Sequence, residues 1–143
     1  MPELPEVETS RRGISPHIVG KIFKNVIVRQ PKLRWPVPDN LPDLLIGQTL
    51  QSVERRGKYL LLNCVNGSLL LHLGMSGNLR ITHPEVKVGK HDHIDLVFAD
   101  DTVLRLNDPR KFGAALWTEN PSQHPLLAVL GPEPLSTDFS GEY

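Results

Sequence analysis

The feature that most limits the fold of this chain is how often its apolar runs are interrupted. Short stretches, apolar or alternating, are separated throughout by Gly, Pro, Asn and Asp. A helix needs its period of 3.6 residues kept over ten or more positions, whereas a strand needs only a few residues at period two. The strand pattern is met at Ile22–Arg29, Ser52–Arg56, Tyr59–Val65, Ser68–Leu73, Asn78–Thr82, His93–Phe98, Thr102–Leu106 and Ala114–Thr118. "VNGS" and "FADDT" predict hairpin turns between neighbouring runs, because Asn, Asp and Gly suit tight-turn backbone. Ile94, Leu96 and Phe98 alternate with Asp95 and Val97, which predicts a half-buried strand. This many short strands with hairpin links predicts a mainly β fold. Its two antiparallel sheets form a β-sandwich or pseudobarrel, capped by short α-helices.

Helix is predicted only at the flanks. "PEVETSRRG" has Pro5 in its first turn, Glu6 and Glu8 near its start, Arg11 and Arg12 near its end, and Gly13 as a stop. "SPHIVG" predicts a second brief turn capped by Ser15 and closed by Gly20. "QHPLLAVLG" predicts a late short helix ending at Gly131. The proline-rich stretch Pro31–Pro42 predicts a surface loop. At 143 residues the chain is expected to be a single domain, 1–143, with a real core.

Charge and cysteine content narrow the function. Acidic and basic residues balance at 16 each, which by itself argues against a free-standing nucleic-acid binder. The single cysteine, Cys64, excludes an internal disulfide and a multi-cysteine zinc site, and its setting in "YLLLNCV" predicts a small buried hydrophobe. No apolar run approaches the ~20 residues of a membrane span, and the acidic start is wrong for a signal peptide. A cytoplasmic protein is expected.

The first residues, "MPELPEVE", carry chemistry of their own. Once Met1 is removed, Pro2 presents a secondary amine. An α-amino group titrates near ~8, against about 10.4 for lysine, so more of it is nucleophilic at neutral pH. Its attack on an aldehydic carbon gives a permanently cationic iminium, an efficient electron sink for covalent catalysis at a sugar C1′ followed by elimination. Glu3 and Glu6 supply carboxylates for the accompanying proton transfers. If Met1 is retained, it acylates the amine and abolishes this reactivity. An extended, solvated chain end explains the same residues without any chemistry.

The other motifs extend this pattern. "MPELPEVET", "RRGKYLLL", "LHLGMSG", "KHDHIDL", "DPRKFG" and "LGPEPLS" together resemble the bacterial formamidopyrimidine-DNA glycosylases, in order from Met1 to Tyr143. The resemblance implies excision of oxidised purines (8-oxoguanine and formamidopyrimidines) and then strand cleavage by β,δ-elimination at the abasic site. It implies Pro2 as the Schiff-base nucleophile, Glu3 as the general acid that opens the deoxyribose ring, and Glu6 as a supporting carboxylate. Lys58 is implied as proton donor during elimination and as a phosphate contact. His72 and His91 are implied DNA contacts, although a lone histidine on an apolar strand is usually a packed core residue. Leu4, where the related endonuclease VIII typically has glycine, favours the purine branch over action on oxidised pyrimidines.

Met75, Arg110 and Phe112 match the residues that fill the duplex when a damaged nucleotide is extruded. Flexible Met and flat Phe suit a wedge, and the planar donors of Arg suit the orphaned base. "GMSG" puts Met75 on a glycine-flanked turn. In "DPRKFG", Asp108 and Pro109 start a turn, and two-residue spacing on extended backbone predicts one common side for Arg110 and Phe112. The implied partner is double-stranded DNA containing an oxidised base, bound by a monomer.

One departure stands out. The family continues past "GPEPLSTDFSGEY" into a helical module, helix–two-turn–helix, and a four-cysteine zinc finger, and neither is in this sequence. The chain is therefore expected to be the N-terminal catalytic domain alone, with no cofactor of its own, the family's structural zinc lying in the other half. Such a fragment is expected to be nearly inactive. Two other classes stay open: a tautomerase-like enzyme using Pro2 as a base, and a non-catalytic module that binds damaged DNA.

Overall fold

The computed structural model describes residues 4–74 and 76–120. Two four-stranded antiparallel sheets face each other. In chain order the elements are α1 (Leu4–Ile18), β1 (Phe23–Val28), α2 (Leu41–Leu45), β2 (Ser52–Arg56), β3 (Tyr59–Asn63), β4 (Ser68–His72), β5 (Asn78–Thr82), β6 (Asp92–Phe98), β7 (Val103–Asn107) and β8 (Ala114–Thr118). One sheet has the order β1-β6-β7-β5 and the other β2-β3-β4-β8.

Alternation sets which side chains meet between the sheets. In the second sheet Leu60 pairs with Leu71 and Leu62 with Leu69, and across the next seam Leu71 pairs with Ala115. In the first, Ile94 pairs with Leu106 and Leu96 with Leu104. All of these are buried in one core with Phe23, Val26, Val53 and Phe98. Burial of this kind stabilises by about 25 cal/mol per Å2 of apolar surface, so these facing rows hold the sandwich together. Cys64 lies in the same core, as its apolar setting predicts, and burial pushes its thiol pKa up to about 11.

Three expectations change. A single helix, α1, replaces two short elements and runs through both Gly13 and Pro16. Gly13 costs a helix about 1 kcal/mol, but Ile14 and Ile18 beyond it are buried against the sheets, and that burial outweighs the stop signal. Gly20, with φ of 89°, ends the turn that follows.

The proline-rich stretch is also more than surface: Leu33, Val37 and Leu41 plug into the core, and α2 forms at its end. Third, β6 is buried on both faces. On its outer side Asp95 is covered by Arg105 of β7, whose guanidinium also donates to the Val86 and Lys87 carbonyls of the loop beyond. Arg105 also binds Asp95 through two parallel hydrogen bonds, and Arg29 adds a third. Burial pushes the Asp95 pKa up, but these cations outweigh it and hold it below the usual carboxylate range. Alternation alone cannot reveal this cover. The helix expected over 123–131 lies outside the described residues.

Glu8 fastens α1 to the second sheet. Its carboxylate accepts from Arg11 and Arg12 on its own helix and from Arg55 on β2. The side chain of Arg55 is only 4% exposed, so this carboxylate answers a nearly buried cation.

Candidate functional site

Pro2 and Glu3, the expected nucleophile and acid, lie outside the described residues, and so does Met75. Glu6 is exposed in the first turn of α1, the helix whose start follows Pro2 and Glu3 directly.

Lys58 sits in the two-residue turn Gly57–Lys58 between β2 and β3, where Arg56 pairs with Tyr59. Gly57 supplies the positive φ of 60° that such a turn needs. The glycine in "RGKY" is the local cue for this hairpin.

His72 ends β4 directly opposite Tyr59, and the two rings meet edge to face at 4.8 Å. The imidazole is 7% exposed. Burial, and then the charges of Arg34 and Lys58, push its pKa below the ordinary value, so the ring is held neutral. The Gly74 amide donates to its Nδ1, which leaves the proton on Nε2. His72 is thus a neutral donor beside two cations.

The expected wedge turns meet backbone to backbone. A Cβ on Gly74 would come within 2.6 Å of the Gly113 nitrogen and 2.7 Å of the Phe112 carbonyl carbon. A Cβ on Gly113 would lie 2.4 Å from the His72 oxygen. Only glycine allows this approach. The segment carrying Met75 is closed by the Gly77 amide donating to the Leu73 carbonyl.

Arg110 and Phe112 do share a side, but for a different reason than extended spacing. Lys111 between them has φ of 59°, so the backbone there is a tight turn. The guanidinium stands 5.1 Å from the Phe112 ring centroid, and Phe112 is 42% exposed. A large aromatic left in solvent with a cation over its face is available for stacking on a flat partner.

His91 joins the same region. Its carbonyl accepts from the Asp108 amide at the root of the turn, and its ring lies 6.3 Å from that of His93. Arg29, Lys90, His91 and Lys111 line a cavity of about 240 Å3 beside it. The net charge of zero therefore conceals a basic end: the charges of Arg34 and Lys58 bear on His72, and Arg29, Lys90 and Lys111 line the cavity beside His91 and His93.

Arg34 was missed because it sits in the proline-rich stretch. Its amide donates to the Gly113 carbonyl at 3.0 Å, which docks that loop beside the wedge turn. The "RWP" around it carried no signal of this. Among the described residues no group of three or more His, Cys, Asp or Glu side chains is placed to hold a metal. Among the described residues no helix is long and apolar enough to cross a membrane.

The family model described as formamidopyrimidine-DNA glycosylase N-terminal domain matches residues 1–115. A formamidopyrimidine-DNA glycosylase of Nitrosococcus oceani is 58% identical over all of this chain and 53% of its own length. One from Thioalkalivibrio sulfidiphilus is 59% identical over the same shares. The chain spans about half the length of the curated relatives it matches.

Among solved structures, the Lactococcus lactis formamidopyrimidine-DNA glycosylase bound to DNA with an abasic site superposes with a TM-score of 0.81. It is 34% identical over 90% of this chain and 49% of the other. MutM in complex with DNA containing carbocyclic 8-oxoguanine gives the same score at 33% identity over 90% of this chain and 49% of that one.

Proposed function

This chain belongs to the formamidopyrimidine-DNA glycosylase family, and we propose that it supplies the catalytic half of a glycosylase and abasic-site lyase acting on oxidised purines in duplex DNA. The observation that carries the reading is the packing of Gly74 on Gly113, which sets two turns side by side at the basic end of the sandwich. One turn bears Met75 and the other Arg110 and Phe112. An enzyme that attacks C1′ must first extrude the nucleotide and brace the gap, and these are side chains suited to that.

The chemistry then falls to the chain's own groups. With Met1 removed, the Pro2 amine attacks C1′ of the extruded nucleotide and the C1′–base bond breaks. The purine leaves with a proton, and Glu3 protonates the ring oxygen as the sugar opens. The resulting iminium withdraws electrons from C2′, whose proton is lost, and the 3′-phosphate departs; a second elimination releases the 5′-phosphate. Water returns the amine. Glu6 supports the amine electrostatically, and Lys58 supplies a proton and a phosphate contact. His72 donates its Nε2 proton to a phosphate, a bond that a neutral ring can make without counter-charge. His91 and the cations around it bind the backbone of the duplex. The protein acts as a monomer.

The test uses residues 1–143 fused to the remaining half of the Nitrosococcus oceani relative, incubated with an 8-oxoguanine duplex and borohydride. A covalent cross-link is expected, and a glycine placed ahead of Pro2 is expected to eliminate it. A cross-link that survives the added glycine would move the nucleophile elsewhere, with Lys58 next in line.

A further inference from the structure

Asp108 is fully buried, with no exposed surface. Burying a carboxylate is costly unless its oxygens are well supplied with donors. Among the described residues its donors are hydroxyl and amide groups, and all of them belong to the two wedge turns. Oδ1 accepts from the Ser76 hydroxyl at 3.2 Å and from the Lys111 amide at 3.1 Å. Oδ2 accepts from the Gly113 amide at 2.8 Å. The backbone of Asp108 is fixed as well, its amide donating to His91 and its carbonyl accepting from Nε2 of His93.

We propose that Asp108 is a positioning residue that locks the turn bearing Arg110 and Phe112 in register with the turn bearing Met75, so that the three enter the duplex as one unit. Ser76 directly follows Met75, and Lys111 stands between Arg110 and Phe112. One carboxylate thus ties both turns at the residues next to the wedges. It also holds Lys111 in left-handed backbone, which a side chain other than glycine adopts at a cost. The spacing of the pair, Arg110 over Phe112, depends on that turn. Asparagine would present an NH2 where one oxygen now accepts, setting donor against donor at Gly113 or at the Ser76 and Lys111 pair. The size would be kept and the register lost.

The inference rests on the glycosylase reading, and its test separates the two. In the fused full-length chain, Asp108→Asn is compared with the parent on two substrates. One is an 8-oxoguanine duplex, which needs wedge insertion; the other is a single strand with a preformed abasic site, which does not. Displacement of positioned groups by about 1 Å costs up to about a hundredfold in rate. Excision from duplex is expected to fall about ten- to hundredfold, while single-strand cleavage falls no more than about threefold. A 2-aminopurine opposite the lesion should lose its unstacking signal in parallel. Ser76→Ala removes one donor, leaves the fold's glycines untouched, and should show the same split at smaller amplitude; it carries the test if Asp108→Asn does not fold. Equal loss on both substrates, or no loss on either, would overturn the assignment. A parent inactive on both would strike instead at the proposed function.

Discussion

The Gly74 amide donates to Nδ1 of His72 at 3.0 Å, within a stretch that continues directly into Met75. One bond therefore fixes both the tautomer of the histidine and the entry into the wedge turn. A protonated ring could not accept it, so charging His72 would break this contact and place a buried cation near Arg34 and Lys58.

That gives a stability dependence with a definite sign. The folded pKa lies below the ordinary histidine value of 6.5. As pH falls below 6.5 the unfolded chain binds the proton first, so stability rises with pH there. His72's contribution is complete above 6.5 and is lost as pH falls toward the folded value. Urea melts at pH 7.5 and 5.0 should show a smaller pH difference for His72→Gln than for the parent. An identical difference in the two proteins would mean that the ring titrates normally.

Glu8 acts lower on the pH scale. Hydrogen bonding from Arg11, helped by Arg12 and Arg55, holds its pKa at about 2 against an ordinary 4.5. Its stabilisation is present above 4.5 and is lost as pH falls from there through 2. Glu8→Gln leaves the nearly buried Arg55 without its carboxylate and should cost about 2 kcal/mol at pH 7. The acid limb between pH 4.5 and 3 should flatten in the variant. Denaturant titration across that range measures both.

Two glycines should respond in opposite directions. At Gly13, on the exposed face of α1, an added Cβ meets nothing within 4 Å, so Gly13→Ala should stabilise by about 0.5–1 kcal/mol. At Gly113 the Cβ would press on the His72 carbonyl, and Gly113→Ala should destabilise by about 1–3 kcal/mol. In the fused chain Gly113→Ala should also slow excision from duplex, because Phe112 and Asp108 adjoin it. Melting temperatures and excision rates report the pair.

The sequence revealed most where the physics is local. Strand β5 spans Asn78–Thr82 as expected, and β3 stops at Asn63 because Cys64 and Gly67 already belong to the turn. Lys58 adjoins Tyr59, which His72 faces, and the His91 carbonyl accepts from the Asp108 amide at the root of the turn bearing Arg110 and Phe112. Other features needed tertiary information. Gly13 reads as a stop and Ser15 as a fresh cap because the burial of Ile18 cannot be seen from neighbouring residues. Arg34 reads as loop because its bond to Gly113 spans most of the chain. Asp108 reads as an ordinary turn starter, since the hydroxyl it holds lies 32 residues earlier. Pro2, Glu3 and Met75 fall outside the described residues, so their roles rest on sequence alone.

Residues 1–143 tested by themselves should fold yet excise almost nothing. The strands and hairpins close within the described residues, and both sheets complete their ladders there. Binding is another matter. Affinity for duplex comes mainly from neutralised phosphates, and each lost contact lowers the salt slope by about one. The net charge is zero, so the basic end, with Lys58, His91 and Arg110, must provide the attraction. Insertion of wedge side chains then costs a few kcal/mol of unstacking, which binding has to supply. The relatives are about twice as long, and the rest of their chains is available to share that load. On one 8-oxoguanine duplex, the fused chain should excise at both low and physiological salt. Residues 1–143 alone should show at most weak excision at low salt and almost none at physiological salt. Full activity of the shorter chain at physiological salt would mean that this domain grips DNA unaided, and that the other half is an accessory.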